Sequence, residues 1–65
     1  MAELRKQARK IMQRWTHKEL VSEVVDAGLL DESQAESLDN TELAGYLERD
    51  MSDPEVAEFI EANSG

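Results

Sequence analysis

Cysteine is absent from this chain, and histidine and proline occur once each, at His17 and Pro54. Without cysteine there is neither a disulfide nor a thiolate zinc site, and one imidazole is too few nitrogen ligands for a zinc site of the usual kind. The D-x-[DN]-x-[DN]-G loop of an EF-hand is missing too, so no metal and no other cofactor is expected. One proline and three glycines are too few turn formers for an all-β domain. No apolar run approaches the roughly 18 residues that cross a bilayer, and no signal-peptide core follows the start, so a soluble cytoplasmic protein is expected. Catalytic patterns are missing as well. There is no glycine-rich phosphate loop, no Ser-His-Asp arrangement, and no carboxylate in an apolar run that would raise its pKa for acid–base work. The expectation is a protein that is not an enzyme.

Basic residues are scarce after position 18. Residues 1–18 hold Arg5, Lys6, Arg9, Lys10, Arg14 and Lys18 against Glu3 alone, a net charge of +5, whereas residues 19–65 hold Arg49 against fourteen carboxylates, a net charge of −13. The overall charge of −8 thus conceals two opposed segments, and such asymmetry bears on partners where net charge bears mainly on solubility. An acidic body of this kind also fits adaptation to a salty medium.

One local pattern recurs four times: an apolar residue, then Ser, Thr or Asp, two variable positions, Glu or Gln, and a small or apolar residue. It stands at Trp15-Thr16-His17-Lys18-Glu19-Leu20, Leu30-Asp31-Glu32-Ser33-Gln34-Ala35, Leu38-Asp39-Asn40-Thr41-Glu42-Leu43 and Met51-Ser52-Asp53-Pro54-Glu55-Val56. The second residue caps a helix, the fifth reaches back to the cap's own N–H, and the first and sixth pack as a hydrophobic staple. Gly28, after Val24, Val25 and Ala27, is placed to end a helix in the left-handed conformation, and Pro54 suits a first turn. These signals predict helices at about 2–14, 17–27, 32–38, 41–51 and 54–62.

Apolar residues at spacings of three and four give most of these helices an inward face: Leu4, Ala8, Ile11, Met12 and Trp15; Leu20, Val21, Val24 and Val25; Leu43, Leu47 and Met51 beside Tyr46; Val56, Phe59 and Ile60. The fold class read from this is all-α, a compact bundle of four to five short helices over residues 1–65, with a basic amphipathic helix at 1–15 and an acidic helical body at 16–65. Gly45, inside the fourth helix, is expected to mark close approach of another helix. Sixty-five residues give a small core, so dimerisation or partner binding would add needed stability.

The first helix carries like charges at i,i+4 in Arg5/Arg9, Lys6/Lys10 and Lys10/Arg14, and Arg5 and Lys6 lie near the positive end of its dipole. A counter-charge would relieve this frustration, supplied by the acidic body or by a partner. Arg5, Lys6, Arg9, Lys10, Arg14 and Lys18 are therefore the candidate residues for a protein or nucleic-acid partner. The stretch is similar to the arginine-rich RNA-binding peptides of phage antiterminators over about ten residues, a likeness that implies phosphate contacts. Glu48, Asp50, Asp53, Glu55, Glu58 and Glu61 form the candidate acidic surface for a protein partner. In Leu20, Val24, Gly28-Leu29 and Leu43/Leu47 the chain resembles SAP or LEM helix-turn-helix modules. Gly28 is too far from Leu43 for that pattern, however, and carboxylates stand where those modules present basic residues.

The leading expectation is a small non-catalytic interaction protein, a regulator or inhibitor that binds a protein partner. A nucleic-acid binder using the basic helix is the alternative, and a subunit of a homo-oligomer or larger assembly the second. A membrane surface ranks last, because the acidic body would be repelled by the anionic lipids that attract the basic helix.

Overall fold

Thr16 accepts a hydrogen bond from the Glu19 N–H at 3.1 Å, while the Glu19 carboxylate accepts from the Thr16 N–H at 3.3 Å. Together they form the reciprocal capping box the sequence predicts. A computed structural model describes residues 2–63, with the side chain of Ala2 left aside. Its helices are α1 (Ala2–Met12), α2 (His17–Asp26), α3 (Glu32–Glu36), α4 (Asn40–Asp50) and α5 (Asp53–Asn63), with no strand among the described residues. The architecture is an all-α bundle. Met1, Ser64 and Gly65, which the single-domain reading includes, lie outside the described residues.

The other three caps differ in how much of the box they complete. Asp39 accepts from the Glu42 N–H at 2.9 Å. At Ser52 the box is built from the far side, since the Glu55 carboxylate accepts from both the N–H and the hydroxyl of Ser52, each at 2.9 Å. Asp31 makes no side-chain cap bond although its backbone is extended in the manner of a cap. The first turn of α3 is exposed, so water can serve its N–H groups without that side chain.

α2 ends where Gly28, at φ +74°, takes the left-handed conformation. The Leu29 N–H donates to the Val24 carbonyl at 3.1 Å and the Gly28 N–H to the Val25 carbonyl at 3.0 Å. This is the Schellman pattern. α1 and α3 stop about two residues short of their predicted ends, because their last turns tighten to i,i−3 bonds. Arg14 N–H reaches Ile11, Trp15 reaches Met12, and Leu38 reaches Ala35.

Ala8 and Met12 from α1 bury fully or nearly so with Leu20 and Val24 from α2, Ala35 from α3, Leu43 and Ala44 from α4, and Val56 from α5. Leu4, Trp15, Phe59 and Ile60 pack around this core, and Trp15 meets Phe59 edge to face with ring centroids 5.8 Å apart. Ile11 departs from expectation: it is partly buried and does not belong to the packed set. The row that faces inward is Leu4, Ala8 and Met12, at strict i,i+4 spacing, and Ile11 lies at its margin. Gly45 also departs. It is buried, but a Cβ there would meet only the Arg49 guanidinium of its own helix, at 3.9 Å, so no neighbouring helix demands a glycine.

Helices that follow one another in sequence are not always those that pack. The main pairings are α3 with α2, α2 with α4, α4 with α1, and α1 with α5. The bundle therefore runs α3, α2, α4, α1, α5 in space, and the basic helix lies between α4 and α5, both of net negative charge.

Candidate functional site

Arg5 sits on the flank of the inward row of α1, beside Ala8 and Met12, and this places its guanidinium at the corner where α4 ends and α5 begins. One terminal nitrogen donates to the Glu48 carbonyl at 2.8 Å and to the Glu48 carboxylate at 2.9 Å. The other donates to the Met51 carbonyl at 3.1 Å and to the Asp53 carboxylate at 2.7 Å. Carbonyls at the C-terminus of a helix lack intrahelical partners and carry the negative end of the dipole, so a cation there serves both needs. Bonding to Asp53 first, and then to Glu48, raises the Arg5 pKa above its ordinary value against a smaller opposing effect of desolvation. Arg9, one turn on, forms an ion pair with the other Glu48 oxygen, its Nε lying 3.3 Å away.

Glu48 is only 8% exposed, and it faces α1 rather than solvent. The structure thus brings together four of the twelve candidate residues, Arg5, Arg9, Glu48 and Asp53, as internal counter-charges. The others stand apart from this cluster. Lys6, Lys10, Arg14 and Lys18 are exposed and make no ion pair among the described residues. Asp50, Glu55, Glu58 and Glu61 are exposed, Glu55 being engaged with Ser52. Those two donors from Ser52 hold the Glu55 carboxyl below its ordinary pKa, the backbone N–H contributing most and desolvation opposing.

Two polar residues outside the candidate set join distant corners. His17 Nε2 lies 2.7 Å from the Leu38 carbonyl, and the Asn40 amide donates to the Trp15 carbonyl at 3.0 Å. Asn40 had only its polarity beside a predicted cap to mark it. No described buried side-chain nitrogen or oxygen lacks a hydrogen-bond partner, and no group of three His, Asp or Glu among the described residues is arranged to hold a metal.

Two open grooves lie among the described residues. The larger, about 600 Å³, runs between α2 and α3. Val21 and Val25 line it, Asp26, Glu32 and Glu36 stand at its rim, and Lys18 and His17 also border it. The smaller, about 380 Å³, lies over Gly45 between Arg9, Tyr46 and Arg49. The Arg49 guanidinium carbon sits 5.8 Å from the centre of the Tyr46 ring, within cation–π range. Nothing in the periodicity of α2 marks the larger groove: Val21 and Val25 do belong to the core or pack against it, as their spacing predicts, and they line the groove as well.

No helix among the described residues is long and apolar enough to cross a membrane. Compared with models of protein families, with curated proteins and with solved structures, the chain matches none.

Proposed function

We propose that this chain is a small non-catalytic interaction protein, a regulator or inhibitor that acts by binding a protein partner. The observation that carries this reading is the open groove between α2 and α3, an apolar floor with a charged rim on a bundle whose interior polar groups are already engaged in architecture. Concave apolar surface edged by charge is the usual make-up of a binding site. The non-catalytic part rests on how the chemically capable groups are used: His17 bonds a backbone carbonyl, and Arg5, Arg9 and Glu48 neutralise one another. Affinity purification from source lysate with the full chain as bait tests the reading. A specific protein is expected to co-purify, and recovery of no protein above background would remove it.

The second reading is nucleic-acid binding, carried by Lys6, Lys10, Arg14 and Lys18, exposed cations with no carboxylate partner among the described residues. It requires that log Kobs for mixed-sequence DNA or RNA fall with log salt. Lys6→Ala with Lys10→Ala should then flatten the slope by about one unit for each phosphate that the variant no longer neutralises. Absence of binding at about 50 mM salt, where phosphate contacts are strong, would eliminate it.

A further inference from the structure

We infer that the α2–α3 groove receives a basic amphipathic helix from the protein partner, a step that rests on the partner-binding reading above. Val21, 8% exposed, and the half-buried Val25 lie one turn apart on α2, and the edges of their side chains left open form a short apolar floor. Asp26 closes α2, and Glu32 and Glu36 stand on one row of α3; all three are exposed, and none of their carboxylates enters a hydrogen bond or ion pair among the described residues. Three unengaged carboxylates on two elements outnumber the one cation at the groove, Lys18, and around an apolar floor they complement aliphatic residues at i,i+3/i+4 spacing flanked by lysine or arginine. The net charge of −8 over the whole chain favours the approach of a basic partner over an acidic one. An extended peptide has no strand edge to pair with among the described residues, which favours a helix.

A second copy of the chain is a poor occupant. The inward row of its own basic helix, Leu4, Ala8 and Met12, is packed in its own core, and Arg5 and Arg9 are paired with Glu48 and Asp53. Only Ile11 would remain to meet the floor.

The test titrates the full chain with a synthetic helical peptide carrying a leucine stripe flanked by lysines, and with its twin carrying glutamate for lysine. The lysine peptide is expected to bind, with amide NMR shifts centred on Val21, Val25, Glu32 and Glu36. Glu32→Lys with Glu36→Lys should weaken it by about tenfold or more, and added salt should weaken it in the unmodified chain. Should the double lysine variant lose its helical circular dichroism, Glu32→Gln with Glu36→Gln replaces it and is expected to weaken binding in the same direction. Equal binding of the glutamate peptide, unchanged affinity in the variants, or shifts confined to another face would overturn the inference. So would a salt-sensitive dimer abolished by the same variants, which would make a second copy the occupant. Capture from lysate keeps the two levels apart. If a partner is retained by the native chain and lost by the double variant while the lysine peptide fails to bind, the inference falls and the partner reading stands. If neither bait retains a protein, the reading itself falls.

Discussion

Replacing Glu48 with alanine removes both carboxylate oxygens that hold Arg5 and Arg9 on α4, at 2.9 and 3.3 Å. Arg5 keeps Asp53 and two carbonyls, so the loss is less than that of an isolated buried charge. A cost of about 2 kcal/mol is expected, measured by urea unfolding. Lys6→Ala, one residue from Arg5 but exposed and unpaired among the described residues, should stay within about 0.5 kcal/mol. Equal losses for the two would mean that the corner does not stabilise the fold. Glu55 carries a pH dependence of its own. Its folded pKa lies below the ordinary value because the charged form accepts two hydrogen bonds from Ser52. The stabilisation is therefore complete above the ordinary glutamate pKa and disappears as pH falls through the lowered folded value. Glu55→Gln should reduce Tm at neutral pH and flatten its decline on acidification, as read by thermal melts from pH 7 downwards. An unchanged slope would count against the cap.

At the scale of the helix the two informative glycines predict opposite outcomes. Gly28 needs its φ of +74°, so Gly28→Ala should destabilise by about 1–2 kcal/mol even though an added Cβ would touch nothing within 4 Å. Gly45 sits in a regular helix where a Cβ makes an ordinary contact with Arg49, so Gly45→Ala should stabilise by about 0.5–1 kcal/mol. Denaturant midpoints of the two variants decide both. The contrast marks how far the sequence could be read. Thr16 with Glu19, and Gly28 with Leu29, were legible because a cap is a contract between residues a few positions apart. Gly45 misled because a glycine in a helix announces missing volume without saying whether anything fills it. The Arg5–Glu48 pair spans 43 residues and depends on α1 lying between α4 and α5, an order that no local pattern encodes. The groove was hidden for a related reason: Val21 and Val25 pack in or against the core as their spacing predicts, and only the position of α3 shows that they also line a groove.

Across the whole molecule that order makes the basic segment a central element. α5 packs chiefly on α1, and α1 supplies Ala8 and Met12 to the core as well as the arginine that joins the end of α4 to the start of α5. A basic arm appended to an acidic body could be removed with little harm; a helix inserted between two others could not. Deleting residues 1–14 should therefore abolish cooperative thermal unfolding and move the emission of Trp15, which packs on Phe59, to the red. In the intact chain, α3 and α5 occupy the two ends of the spatial order and each has one main packing partner, whereas α4 has two. Amide exchange should accordingly be faster in α3 and α5 than in α4, because an end element can open without exposing the centre of the core. A truncated chain that still melts cooperatively would show that the acidic body holds together without α1, and an α5 protected as strongly as α4 would show that an end element does not open on its own.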